Sequence, residues 1–311
     1  MLVSSTIVLA LSWVGLFNSL GEQAVERPIP VIDMHVHVYA DDPRFGSRFT
    51  NPLTRKEMIA AKDAEAHHRD TTAAFLRYNV VKAVVSGDHA AALRWRDRDP
   101  DRIIVGYAVT DPAKADLGFL RKEHAAGRLH VLGEVAPQYV GMVPTDPKLE
   151  PLFSLAEELD LPIGYHMHPG PPGAPYSGFP AVRVTNGSAL LLEDVLIRHP
   201  KLRLYVMHAG WPMLDEMVGL LYAHPRVYVD LGVIAWSQPR PEFHRHLRRL
   251  VEAGFADRIM FGSDQMVWPE VIGPSIEAIE SADFLTPDQK RDIFYRNAAR
   301  FLRLEGALTA R

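Results

Sequence analysis

The chain has 311 residues, 47% hydrophobic and 23% charged, with 34 Lys and Arg against 38 Asp and Glu. That apolar content supports a large core and excludes wholesale disorder, and a formal net charge of −4 gives no reason to expect a nucleic-acid partner. With no cysteine among the residues, disulfides, thiolate metal sites, cysteine nucleophiles and iron–sulfur clusters are excluded, so metal chemistry must draw on His, Asp and Glu.

The first 21 residues carry no charged side chain, and residues 6–17 are almost wholly apolar. That run falls short of the ~20 apolar residues that a membrane span needs. It suits the apolar region of a secretory signal, with Ser19 and Gly21 as small residues before a cleavage point. The expectation is a signal peptide over 1–21 and an exported chain, periplasmic or secreted, with no stable membrane span after cleavage. The lack of Lys or Arg near the start leaves two alternatives, a mis-assigned start with a cytoplasmic protein and an uncleaved anchor.

From residue 28 onward, short β-branched runs alternate with helical patterns. Strands are expected at 31–38, 80–86, 103–109, 130–135, 162–168, 203–208, 227–231 and 258–262. Helices are expected at 56–78, 89–98, 113–126, 149–159, 188–199, 213–224, 241–253 and 287–304. The strands read as continuous apolar runs, as in a parallel sheet buried on both faces. Eight strand–helix pairs without an internal linker predict one α/β domain over 28–311, a (β/α)8 TIM barrel. A doubly wound open sheet is the alternative. His199 and His224 each close a helix before a proline and are expected as C-terminal cations. The Pro- and Gly-rich stretch 169–180 is long enough to shape a pocket at a strand's C-terminal end.

The strongest chemical signal is Ile32-Asp33-Met34-His35-Val36-His37. Strand residues two apart share a face, so His35 and His37 can grip one ion. The fourth barrel strand ends on Gly133-Glu134-Val135, a carboxylate in an apolar run where an unpaired Glu is rarely buried. The fifth carries His166 and His168, the sixth ends on His208, and the eighth on Ser263-Asp264. Each is an ordinary core or capping residue when taken alone. Together they place imidazole or carboxylate at five strand ends, ligand types suited to zinc, manganese or iron.

On these residues the chain resembles the amidohydrolase superfamily, in its amidohydrolase-related branch, over residues 28–304. The resemblance implies a metal site lined by His35, His37, His166, His208 and Asp264, with Glu134 matching the acid or carboxylated lysine that bridges two metals in some members. Leu161-Pro162 through His166, followed by Pro169-Gly170-Pro171-Pro172-Gly173, resembles the family's fifth-strand signature, and Asn297-Ala298-Ala299-Arg300-Phe301-Leu302 its final helix. In that register His166 is the ligand and His168 an addition, second to the metal or touching substrate. Asp230 is read as orienting a ligand or contacting substrate, with a backbone-satisfied carboxylate as the plain alternative. Trp211, Trp236 and Trp268 follow strands six, seven and eight and are candidates for an apolar substrate wall, or else outer packing. His67, His68, His244 and His246 fall in helical patterns and are expected on solvated faces.

The expected activity is hydrolysis of a small amide, lactone or ester by water activated on one or two divalent ions, zinc first, manganese or iron otherwise. Asp264 would carry the water's proton to the leaving group, and His208 would orient the carbonyl or complete a second metal site. Related members make non-oxidative decarboxylation of an aromatic or semialdehyde acid the alternative, with His208 protonating carbon. A metal-binding protein without turnover is the third reading. The partner expected is a small-molecule substrate, and a homodimer is compatible with the sequence. Dinucleotide, serine-hydrolase and P-loop glycine patterns are missing: the pair at P-loop spacing, Gly173 and Gly178, is followed by Phe179 rather than lysine.

Overall fold

The structure, a computed structural model, describes residues 29–304. The signal peptide expected over 1–21 lies outside the described residues. Ten strands run in chain order: β1 Val31–Val38, β2 Arg48–Thr50, β3 Glu57–Ile59, β4 Val80–Gly87, β5 Ile103–Val109, β6 Val131–Val135, β7 Ile163–His166, β8 Leu204–Met207, β9 Tyr228–Asp230 and β10 Ile259–Met260. Eight of them form a parallel sheet in the order β1-β4-β5-β6-β7-β8-β9-β10. Its two edges meet where Met34 N–H donates to Phe261 O at 3.0 Å. This is the expected (β/α)8 barrel.

The helices between the strands are α1 Ala64–Arg77, α2 His89–Arg98, α3 Leu117–Ala125, α4 Glu150–Glu158, α5 Glu193–Arg198, α6 Leu214–Ala223, α7 Ile234–Ser237 and α8 Arg240–Glu252, and α9 Ile272–Glu280, α10 Pro287–Arg291 and α11 Asn297–Leu302 follow β10. Aspartate starts three of them: Asp63, Asp88 and Asp116 each accept from a backbone N–H of the first turn, the usual service of an N-cap. The main core lies between sheet and helices, with Phe75, Phe153, Phe243 and Phe294 all buried. Inside the barrel, Gly133 and Gly164 make room for larger neighbours. A Cβ on Gly133 would stand 1.5 Å from Ser86 Oγ, and one on Gly164 2.4 Å from the Tyr205 hydroxyl. Tyr205 thereby fills the interior and donates to Met34 O at 3.2 Å, sealing the floor below the site.

Several expectations are corrected. The helix expected over 56–78 starts only at Ala64, because residues 57–59 alternate exposed, buried, exposed and pair with β2 in an antiparallel hairpin. The period is two there, not 3.6. The helix expected over 287–304 is interrupted by a π turn at Asp292–Arg296. His67 and His246 are not on solvated faces: both are fully buried, and His246 donates to Ala209 O at 3.0 Å. His199 and His224 do close α5 and α6, with His199 held between Glu150 and Glu157. Among the described residues no helix is long and apolar enough to cross a membrane.

Candidate metal centre

The C-terminal ends of β1, β6, β7 and β8 and the segment after β10 bring His35, His37, Glu134, His166, His208 and Asp264 together. Two donor groups stand out, His35–His37–Asp264 and Glu134–His166–His208. In the first, His37 Nε2 lies 3.0 Å and His35 Nε2 3.6 Å from the same oxygen, Asp264 Oδ1. Donors about 2.0–2.1 Å from a tetrahedral ion are separated by roughly 3.3 Å, so this spacing is that of a coordination shell. His35 Nε2 and Asp264 Oδ1 are both buried without a well-directed hydrogen bond, which a native interior rarely tolerates unless something else binds there. The donor set and its orphaned atoms fit a divalent ion.

Asp264 reaches this place through its backbone. Its N–H donates to His35 O at 2.7 Å, and its φ of 48° turns the chain abruptly inward as β10 ends. Gln265 then clamps the other histidine, accepting from His37 N at 2.9 Å and donating to His37 O at 2.8 Å. His208 also sits in the left-handed region, at φ 60°. Backbone of this kind costs about 1–3 kcal/mol per residue, and here it aims side chains into one cavity.

In the second group His166 Nδ1 lies 2.8 Å from Glu134 Oε1 and 3.4 Å from His208 Nε2. The other oxygen of Glu134 is 3.5 Å from His37 Nε2, so this carboxylate spans both groups. His208 Nδ1 donates to Gly232 O at 2.9 Å, leaving its Nε2 lone pair directed into the site.

Opposed charges govern the ionisation. Burial would raise the Asp264 carboxyl, but the neighbouring imidazoles of His35, His37 and His208 hold it far below the usual carboxylate range. Burial likewise opposes, and His37, His166 and His35 overcome it, at Glu134, which stays well below its ordinary value. Burial would lower His35, yet the carboxylates of Asp264 and Asp230 push it up to about 10. Burial, reinforced by His166, takes His208 down to about 4. Before an ion binds, the site keeps both carboxylates ionised and His208 neutral, states in which each can serve as a ligand, while His35, held protonated by its acidic neighbours, must release its Nε2 proton as an ion binds.

The remaining predicted residues are placed as follows. His168 lies beyond the end of β7, buried, with its ring stacked on Trp211 at 5.4 Å and 5.1 Å from the His208 ring. It belongs to neither donor group. Asp230, expected either to orient a ligand or to contact substrate, is fully buried. Its Oδ2 is 3.2 Å from His35 Nδ1, while Oδ1 accepts from His208 N and Gly232 N at 2.9 Å each. The carboxylate lies enclosed behind His35 and His208 and offers no open face to a substrate. Trp236 and Trp268, expected as substrate wall, pack against each other in a satellite cluster with Met58, Ala60 and Val267. Trp236 Nε1 also donates to Ser263 O at 2.9 Å, beside Asp264, and Tyr39, packed against the same cluster, stacks its ring on His37 at 5.7 Å.

Four residues of the site went unread. Tyr39 continues the parity of His35 and His37 and was detectable on that basis. Gln265 adjoins Asp264. Tyr139 stands edge-on to His166 at 5.1 Å, and Arg44 lies over Tyr39 at 5.1 Å with its guanidinium held by Asp42. Neither of these last two carries a local sequence signal. A surface cleft of about 840 Å³ beside α6 and α8 is lined by Asp215, Arg245 and Arg249 among others and includes none of the donor residues.

Comparison with known proteins identifies the family and the fold. The family model described as Amidohydrolase matches residues 32–304. No curated protein matches the chain. Among solved structures, an uncharacterised TIM-barrel protein from Bordetella bronchiseptica is similar with a TM-score of 0.62 at 16% identity, over 88% of this chain and 98% of that one. A probable 2-pyrone-4,6-dicarboxylic acid hydrolase from Acinetobacter baumannii gives 0.60 at 13%, over 88% and 99%. A 5-carboxyvanillate decarboxylase from Sphingomonas paucimobilis gives 0.52 at 18%, over 75% and 82%. At these identities the likeness is one of fold.

Proposed function

The chain belongs to the amidohydrolase family, and we propose that it is a metal-dependent hydrolase of a small amide, lactone or ester. The observation that carries this reading is the pair of buried, unsatisfied donors His35 Nε2 and Asp264 Oδ1 within the His35–His37–Asp264 group. His35, His37 and Asp264 would hold one divalent ion, and Glu134, His166 and His208 would hold a second, with Glu134 between them. Zinc is the first choice for nitrogen and oxygen donors at tetrahedral spacing. When bound, the ion supplies Lewis acidity, polarising a carbonyl and making water acidic near neutral pH.

The chain's own residues do the rest. Asp264, kept ionised by its histidine neighbours, accepts the proton of the attacking water and delivers it to the leaving group. His208, neutral and fixed by Gly232 O, orients the carbonyl or ligates. His168 on Trp211, Tyr39 and Tyr139 form the walls against which substrate lies, and these aromatic faces favour a planar, partly apolar substrate. A decarboxylase is the competing reading. Glu134 favours hydrolysis, because a carboxylate spanning both groups suits a two-ion site. The test is metal analysis of the purified protein with a panel of lactones, esters, amides and carboxylated aromatics. Hydrolysis of any of the first three supports the proposal, while carbon dioxide release from the aromatics without hydrolysis overturns it.

A further inference from the structure

We infer that Asp230 is a positioning residue of the metal centre, choosing which nitrogen of His35 faces the ion and tying the two donor groups into one frame. The inference rests on the metal-site reading above and assigns a role that reading does not need.

Asp230 ends β9 and is fully buried. Its carboxylate meets three N–H groups: His35 Nδ1 at 3.2 Å on Oδ2, and His208 N and Gly232 N at 2.9 Å on Oδ1. A carboxylate only accepts, so it fixes the His35 proton on Nδ1 and leaves the Nε2 lone pair facing Asp264 Oδ1. The bond to His208 N anchors the backbone from which a ligand of the second group projects. One side chain thus braces a histidine of each group. The acid, His35 and His208 also form a third cluster of metal-ligating residue types, but an ion there would have to displace N–H donors from both oxygens, so the cluster is scaffold.

The surrounding backbone supports the same reading independently. A Cβ on Gly232 would lie 2.6 Å from His35 Nδ1 and 3.2 Å from Asp230 Oδ1. One on Gly262 would lie 3.0 Å from His35 Cβ and 3.3 Å from Asp230 Cγ. Two residues without side chains, following β9 and β10, leave the space that this carboxylate–imidazole pair fills.

Asp230→Asn separates positioning from packing. The amide keeps the size but turns one acceptor into a donor. Facing its NH2 toward His208 N and Gly232 N opposes two N–H groups, whereas facing it toward His35 opposes one. The cheaper arrangement moves the His35 proton to Nε2, the atom the ion requires free. The experiment measures zinc affinity by chelator competition in both proteins, and the protonated ring nitrogen of His35 in the zinc-loaded proteins by 15N–1H NMR. Assignment uses His35→Gln. The expected result is about 10–100-fold weaker zinc binding in Asp230→Asn with an unchanged circular dichroism spectrum, and a His35 Nδ1–H signal in the wild type that is lost in the variant. Zinc affinity within about threefold of wild type would overturn the inference, given the loss expected when such a partner is removed. So would zinc-loaded wild type with His35 protonated on Nε2. If Asp230→Asn fails to fold, the wild-type signal decides alone. A wild-type chain that binds no divalent ion would sink the metal reading and this inference with it, whereas normal uptake with either contrary result sinks this inference only.

Discussion

Replacing Asp264 by Asn removes the proposed proton carrier while keeping its shape. The side chain is 6% exposed and sits 3.0 Å from His37 Nε2, and it shares its turn with a backbone bond to His35 O that the substitution leaves alone. The amide can still offer an oxygen to an ion, so His35 and His37 should retain metal, at reduced affinity. It cannot take a proton near neutral pH. General acid–base groups contribute ~10²–10⁴-fold, which corresponds to ~2.7–5.5 kcal/mol of transition-state stabilisation. The assay is kcat of the metal-loaded variant on the best substrate from the panel, with metal content measured in the same sample. Turnover near wild type at full occupancy would refute Asp264 as the proton carrier. The companion variant His208→Asn separates hydrolysis from decarboxylation: a hydrolase keeps measurable activity without that imidazole, while a decarboxylase that protonates carbon with it loses nearly all.

His35→Ala and His37→Ala should each lose most bound metal, and chelation should abolish activity; full occupancy by elemental analysis in both variants would contradict the first donor group. Gly232→Ala should weaken metal binding without disturbing the barrel, since the added Cβ would come within 2.6 Å of His35 Nδ1, and unchanged affinity with native circular dichroism would count against that crowding. His246 gives a pH test of the fold. Burial lowers it from 6.5 to about 4, so its neutral form is the one the folded state prefers, and stability present above pH 6.5 is lost as pH falls toward 4. The loss amounts to ~3 kcal/mol. Denaturant unfolding of His246→Gln should show a shallower decline over that window, and identical pH slopes in variant and wild type would remove the assignment.

The barrel was legible because eight largely apolar runs of strand length recur between helical patterns, and burial on both faces leaves few polar residues to blur them. The candidate ligands were legible only jointly: each is an ordinary core or capping residue alone, but imidazole or carboxylate at five strand ends is not, and strand parity put His35 and His37 on one face. What stayed hidden depends on contacts distant in sequence. Nothing around His246 announces that it will donate to Ala209 O, since an Arg-rich helix reads as solvated throughout. Helix α9 was unread because Pro269, Gly273 and Pro274 punctuate its start, residues that ordinarily mark turns. Asp230 looked equally like a substrate contact, as its three donors come from β1, the turn after β8 and its own strand end. Arg44 lies in a turn and Tyr139 in the single 3-10 turn Pro137–Val140, segments too short to show a period.

Anomalous diffraction from crystals equilibrated with zinc addresses the central claim most directly. The account places one peak within coordination distance of His35 Nε2, His37 Nε2 and Asp264, with any second peak between Glu134, His166 and His208. Crystals that take up no ion there at saturating zinc, or hold it only on surface carboxylates, would contradict it.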